Sequence, residues 1–367
     1  MSLYVDIEKR CGDFELKVKF QTDREVFSIL GASGCGKSLT LKCIAGIEKP
    51  DRGYIKLGNR VLFDSEKKIN LPARERRAGY LFQDYALFPN MTVLQNINCG
   101  ARDKKLDDRF VKKFYLTGKE QLYPAQLSGG QKQRTALARM LAAKPDVIML
   151  DEPFSALDNY LKTQLEREIM EVLDTCEQPV LFVSHDRNEV YRLTDRIAVM
   201  EAGKIVDVQP KQELFGRPGT LAATLLTGCK NITRLAPNAD GSYQALDWGL
   251  RLVCGPGVGR GAERTAAGSG ADEICGRQDT EYRYAAFRAH YFEAVPAMEE
   301  ATVLECEVLR EIEDTFSMIV LFRNKGCMAE GADSVLTFEL PKEEWAQMKK
   351  NRIFLKIPAE KLILLER

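Results

Sequence analysis

Three short stretches of the chain are apolar at nearly every position: residues 26–30 (VFSIL), 147–150 (VIML) and 180–183 (VLFV). Runs of this length without polar alternation predict strands covered on both faces, as at the centre of a parallel sheet. Each gives way at once to residues of another kind: Gly31 onward, Asp151 and Glu152, and Ser184 and His185. Ligands of open α/β sheets lie beyond the carboxyl ends of the strands, so these three ends are expected to meet at one site. Two further apolar runs, 197–200 and 205–208, flank Glu201, Ala202 and Gly203 and predict a hairpin at an edge of the domain. Up to about residue 230 the pattern is α/β.

Beyond residue 230 the texture changes. Residues 255–271 (GPGVGRGAERTAAGSGA) are rich in Gly and Ala with no apolar period, which reads as a loop. The Gly-x-Gly fragment inside it has no strand-turn-helix context and is not read as a dinucleotide site. Strand-like pieces follow at 301–309, 317–322, 335–340 and 353–357, with one helix-like run at 342–350. Short strands separated by turns predict a small β-barrel. The expected division is therefore 1–230 and 231–367.

Composition narrows the function classes. A chain of 367 residues is long enough for two domains, each with its own core. Its 53 Lys and Arg balance 53 Asp and Glu, which argues against a protein that holds nucleic acid or anionic lipid by bulk electrostatics. No nucleic-acid partner is expected. The 10 cysteines contain no C-x-x-C pair, and with only 2 histidines, His185 and His290, a structural zinc site is not expected. No apolar run approaches the ~20 residues of a membrane helix, and the first residues lack the charged and apolar blocks of a signal peptide. A reduced, cytosolic protein is expected, one that reaches a membrane only by docking to a partner.

The first chemical signal is Gly31-Ala32-Ser33-Gly34-Cys35-Gly36-Lys37-Ser38, a complete G-x-x-x-x-G-K-[ST] loop. Its glycines let consecutive backbone N–H groups turn inward around an anion, and the helix that follows adds its positive end. Lys37 has the reach for β- and γ-phosphates, and the Ser38 hydroxyl suits Mg²⁺. The context fits: an apolar strand precedes the loop, and a helix-like run from Leu39 to Ala45, closed by Gly46, follows it. Cys35 reads as a small residue of the loop. The second signal is the pair Asp151-Glu152 after an apolar strand. Asp151 suits the magnesium-holding carboxylate of P-loop NTPases, and Glu152 suits a general base for an attacking water.

The third signal is Leu127-Ser128-Gly129-Gly130-Gln131, where Ser128 makes a good N-cap and the glycines leave backbone N–H groups bare at a helix start. This LSGGQ run resembles the signature of ATP-binding-cassette ATPases, and the rest of that family's set is present. Gln83 resembles its Q-loop glutamine, Asp158 in Ser155-Ala156-Leu157-Asp158 its D-loop aspartate, and His185 its switch histidine. The resemblance covers about residues 3–230. It implies an α/β P-loop NTPase, a RecA-like core with a helical subdomain at about 84–140. The C-terminal region resembles the small all-β TOBE-type (OB-like) regulatory barrel.

The resemblance further implies ATP and Mg²⁺ as cofactors and a head-to-tail homodimer. Gly31, Ala32, Ser33, Gly34, Cys35, Gly36, Lys37, Ser38 and Leu39 of one subunit and Ser128, Gly129, Gly130 and Gln131 of the other would then enclose the nucleotide. Asp158 would signal across the interface. Ser38, Gln83 and Asp151 would hold Mg²⁺, while Glu152, His185 and Gln83 would serve hydrolysis. Residues 84–97 (DYALFPNMTVLQNI) resemble the segment of bacterial importer cassettes that receives a permease helix, with Leu87, Phe88, Met91 and Val93 as its apolar contacts. A transmembrane permease, and through it a solute-binding protein, are thus the expected partners, at the cytoplasmic face of the membrane. Tyr4, Phe14 and Phe20 are all open as the ring that stacks on adenine.

The run Leu71-Pro72-Ala73-Arg74-Glu75-Arg76-Arg77 ahead of Gly79-Tyr80-Leu81-Phe82-Gln83 is similar to molybdate- and sulfate-type cassettes. Molybdate or tungstate is therefore the expected cargo, with sulfate, ferric iron, polyamine and sugar as competitors. Chromosome-type and DNA-repair ATPases share these motifs but carry long coiled-coil insertions, and no sustained heptads occur here.

Overall fold

The computed structural model describes residues 1–102, 109–155, 159–252, 282–297, 302–325, 327, 334–349 and 352–366. They form two compact units, Met1–Gln212 and Glu213–Arg367. The division expected near residue 230 thus falls earlier. The reason is packing: Leu221 and Cys229 share an apolar cluster with Ala286, Ile363 and Leu365 of the C-terminal strands.

The first unit contains an 11-stranded sheet, β1 (Leu3–Cys11), β2 (Phe14–Thr22), β3 (Val26–Gly31), β4 (Arg52–Leu57), β5 (Arg60–Asp64), β6 (Ile69–Asn70), β7 (Ala78–Leu81), β8 (Val147–Asp151), β9 (Val180–Ser184), β10 (Arg196–Glu201) and β11 (Lys204–Pro210). The spatial order is β6-β5-β4-β1-β2-β11-β10-β3-β9-β8-β7. The three apolar runs are β3, β9 and β8, adjacent and parallel as expected. All five residues of β8 and of β9 are buried. The hairpin β10–β11 is not at an edge. β10 pairs in parallel with β3 on its inner side, and β11 meets β2 through Lys204 and Lys17. Ile197 to Met200 are buried accordingly, so their unbroken apolar character marks an interior strand.

Register sets the level of the strand ends. Leu30 lies opposite Ser184, Val183 opposite Asp151, and Leu150 opposite Leu81. Four chain segments of different sequence position therefore leave the sheet at one height. Helices α1 (Lys37–Ala45), α2 (Ala73–Arg76), α3 (Val93–Gly100), α4 (Arg109–Lys113), α5 (Gly129–Ala142), α6 (Asn159–Leu173) and α7 (Arg187–Leu193) complete the unit. The expected helical segment around 84–140 is α3 to α5, with α3 and α5 packed on each other. Thr92 and Ser128 start those two helices, each as a capping box with Gln95 and Gln131.

The C-terminal unit holds two five-stranded sheets, ordered Leu250–Leu252, Tyr243–Ala245, Asn231–Pro237, Tyr284–Phe287, Ile363–Leu365, and Glu293–Val295, Phe354–Lys356, Val303–Glu313, Ser317–Asn324, Leu336–Pro341. All four strand-like pieces read from the sequence are strands, and the helix-like run is the helix Lys342–Met348. Both sheets contribute to one core that includes Trp248, Phe287, Phe292, Phe322 and Trp345. The Gly-rich stretch 255–271 lies outside the described residues.

Candidate functional site

The loop after β3 keeps Ala32, Ser33 and Gly34 at the surface while Cys35 and Lys37 turn inward. The helix α1 begins at Lys37, two residues ahead of the helix-like run from Leu39, so Lys37 and Ser38 occupy its first turn. Gly36 takes φ 109°, and a Cβ there would lie 2.7 Å from Leu16 Cδ1 and 3.1 Å from the Phe14 ring. Only glycine suits such a backbone angle so close to a neighbouring strand. The Lys37 ammonium donates to the carbonyls of Gly31 (2.8 Å) and Ala32 (2.9 Å), folding the side chain back along its own loop. Burial pushes the Cys35 thiol up, against the opposing pull of Lys37, which disfavours the thiolate. Leu39 packs partly buried against the core.

Across the sheet ends, Ser38 Oγ donates to Asp151 Oδ1 at 2.9 Å. Tyr80, from β7, donates its hydroxyl to Asp151 Oδ2 at 2.6 Å. Burial first, and the Asp151 carboxylate second, push the Tyr80 phenol up and keep it a donor. A hydroxyl and a carboxylate are hard oxygen donors and fit Mg²⁺, which is usually held by one or two carboxylates and completes its shell from other oxygens, phosphate and water. Glu152 follows with a left-handed φ of 47°, its N–H bonded to Val183 O at 2.9 Å. A non-glycine residue there is uncommon and aims the side chain away from the strand direction. Its carboxylate lies 3.3 Å from His185 Nδ1.

A buried polar group holds the His185 turn in place. Ser184 Oγ donates to Glu189 Oε2 at 2.5 Å, Asp186 caps α7 through Asn188 N, and Lys162 bridges Asp186 and Glu189. Burial works against charge on Lys162 and on Asp186, yet their mutual contact wins: the ammonium is raised and the carboxyl lowered. Of these residues the sequence marks Ser184 alone, as a strand end; Tyr80, Lys162, Asp186 and Glu189 carry no local signal, and strand register and the packing of α6 on α7 bring them together.

Gln83 is exposed just beyond β7. Ser128 is exposed at the N-terminus of α5, with Gly129 and Gly130 opening the helix. Gln131 Oε1 accepts from Ser128 N at 3.0 Å, so its side chain serves its own helix start. Asp158 lies outside the described residues. Phe20 stacks on Phe27 in the core at 5.1 Å, and Tyr4 faces Tyr54 at 6.2 Å, which leaves Phe14 as the ring beside the loop. Val93 is fully buried at the start of α3 and is not available as a surface contact, whereas Phe88 is exposed. Arg139 donates to the carbonyls of Tyr85 and Ala86, both left-handed, and lies over the Phe88 ring. Asn96 bonds Phe88, Met91 and Thr92, so the whole turn is held from behind.

Residues 15–155 match the ABC transporter family model. The chain is 36% identical over 266 residues to a sulfate/thiosulfate import ATP-binding protein, CysA, of Xylella fastidiosa, a match spanning 68% of this chain and 74% of that one. It belongs to the ABC transporter family. Two further relatives of this cassette are a molybdenum import ATP-binding protein, ModC, of Paramagnetospirillum magneticum, 39% identical over 227 residues, and an Fe(3+) ions import ATP-binding protein, FbpC, of Haemophilus influenzae, 40% identical over 220 residues. Those matches span 59% and 58% of this chain and 61% and 62% of the relatives' own lengths. No helix among the described residues is long and apolar enough to cross a membrane.

Proposed function

We propose that this cassette is the ATP-hydrolysing subunit of a bacterial importer, working as a head-to-tail dimer docked on a membrane permease at its cytoplasmic face. The observation that carries the reading is the common level of the four parallel strand ends, where Ser38 and Asp151 lie 2.9 Å apart and Glu152 and His185 3.3 Å apart. Lys37 would exchange its two loop carbonyls for phosphate oxygens. Ser38 and Asp151 would hold Mg²⁺, with Gln83 as a third oxygen at the end of β7, and the ion would neutralise charge on the β- and γ-phosphates. Glu152 would take a proton from the attacking water, whose oxygen bonds the γ-phosphorus as the bond to the ADP oxygen breaks. His185, fixed by the Ser184–Glu189–Lys162 group, would hold Glu152 in line and contact the γ-phosphate. Phe14 would stack on adenine.

At the start of the 14-residue helix α5, Ser128 is exposed, Gly129 half-buried and Gly130 buried, so Ser128 and the N–H end of the helix would form the partner half of the site, with Gly129 and Gly130 giving the close backbone approach to a second copy's nucleotide. Asp158 would relay the state of one site to the other. The braced turn that presents Phe88, with Leu87 and Met91, suits the permease helix. The C-terminal sheets would form the TOBE-like regulatory domain. Molybdate or tungstate is the proposed cargo, on the similarity of residues 71–83 to oxyanion cassettes, and relatives named for molybdenum, sulfate and Fe(3+) match about equally well. ATPase activity of the assembled transporter, with permease and solute-binding protein, is expected to rise with molybdate. Stimulation by another solute and not by molybdate would replace the cargo, and no ATPase activity in any assembly would remove the reading.

Tyr80→Phe tests the magnesium limb. Loss of one hydrogen bond to a carboxylate, worth about 1.5–3 kcal/mol at most, leaves Asp151 less well oriented. The magnesium concentration for half-maximal ATPase activity is expected to rise about 3- to 10-fold. An unchanged magnesium titration would show that Tyr80 serves packing alone.

A further inference from the structure

The run at 71–77 marks a resemblance in the sequence, yet none of its residues has a task in the nucleotide reading. In the fold it runs between β6 and β7, and Arg76 is its buried member. Its side chain is fully enclosed. The guanidinium donates from Nη1 to the carbonyls of Cys43 (2.7 Å) and Ile44 (2.8 Å), from Nε to Leu71 O (2.8 Å) and from Nη2 to Asn70 Oδ1 (2.8 Å). Cys43 and Ile44 belong to the last turn of α1, the helix whose first turn holds Lys37 and Ser38. All four acceptors are uncharged, so a whole positive charge is buried against the negative end of the phosphate-binding helix.

The surroundings are shaped for it. Gly46 closes α1 with φ 78°, and a Cβ there would lie 2.5 Å from Arg76 Nε. Burial lowers the guanidinium pKa from its ordinary value, which burial does to any cation without an anionic partner. Such a charge is costly to enclose, and a helix cap alone needs only a glycine or a neutral donor. What the charge adds is electrostatic. The macrodipole places about −0.5 charge at a helix C-terminus and about +0.5 at its N-terminus. A cation at the C-terminal end offsets the negative pole, and across a nine-residue helix of about 13 Å the net positive potential at the N-terminus rises.

We propose that Arg76 is a positioning residue for ATP binding, a buried cation that seats the C-terminal end of the phosphate-binding helix and strengthens the positive field at its phosphate end. The inference rests on the nucleotide reading of residues 31–38. It also joins the P-loop helix to the segment that leads into β7, whose Tyr80 bonds Asp151, so one side chain ties two walls of the site together.

The test uses the full chain and ATP as probe, with Arg76→Met, Arg76→Lys and Asn70→Ala compared for thermal stability, Kd, KM and kcat. Arg76→Met removes the charge at similar length, and its KM and Kd for ATP are expected to rise about 5- to 30-fold with kcat within about twofold. Arg76→Lys restores charge without the four-bond geometry and is expected to recover most of the affinity while remaining less stable. Asn70→Ala keeps the charge and loses one bond, so its Tm falls and its KM stays near wild type. The gap between wild type and Arg76→Met persists at high salt, because a buried charge is poorly screened.

A folded Arg76→Met with wild-type affinity overturns the proposal. So does a loss of affinity in Arg76→Lys and Asn70→Ala that tracks their loss of stability, a comparison that decides even where Arg76→Met does not fold. Wild-type protein that binds no ATP would instead reject the nucleotide reading itself.

Discussion

Glu152→Gln is expected to bind ATP normally while turnover falls about 10²- to 10⁴-fold, the range that a positioned general base contributes. The amide is nearly the same shape as the carboxylate, so the left-handed turn at Glu152 and its N–H bond to Val183 are kept. What goes is the acceptor for the water's proton and the carboxylate beside His185 Nδ1. Since binding and hydrolysis are separated, the variant should accumulate as an ATP-bound dimer. Size-exclusion chromatography with light scattering, with ATP and then with ADP, checks this against single-turnover hydrolysis. Rapid hydrolysis by the variant would remove Glu152 from its assigned role, and a monomer under saturating ATP would remove the dimer.

Lys37→Met carries the second large effect, and it acts on binding. The wild-type ammonium is satisfied by the Gly31 and Ala32 carbonyls, so the loop is already drawn around the place a phosphate would take. A charge-assisted hydrogen bond is worth about 1.5–3 kcal/mol. Exchanging carbonyl acceptors for anionic phosphate oxygens recovers part of this, so Kd for ATP is expected to rise about 10- to 100-fold in the variant. Stability falls as well, because two loop carbonyls lose their donor. Calorimetric titration with ATP and a melting curve without it measure the two effects separately. Unchanged ATP affinity would show that the loop does not serve as a phosphate cradle.

Legibility in the sequence followed physical locality. The turn at 31–38, the Asp151-Glu152 pair at the end of β8 and the helix start at Ser128 are legible because each is a contiguous set of residues. The three central strands were readable because burial on both faces removes polar alternation. The hairpin at 197–208 was misplaced for the same reason: an apolar run shows that a strand is covered, not which neighbours cover it. Val93 looked like an interaction residue beside Phe88, and only the packing of α3 separates the buried one from the exposed one.

Sequence alone determined the local character of this chain: which short segments are glycine-rich turns, where Ser128 starts a helix, and which strands are enclosed. Those are properties of a few consecutive residues. Tertiary structure decided the rest through register, setting the ends of β3, β9, β8 and β7 at one level so that Ser38 and Tyr80 meet Asp151 and His185 meets Glu152. It also gave Arg76 its place, 33 residues away from Cys43 in sequence and 2.7 Å from its carbonyl in space. The balanced charge with which the chain is built exposes nothing of this cation, because the field that a polyanion meets depends on where each charge is buried and not on their sum.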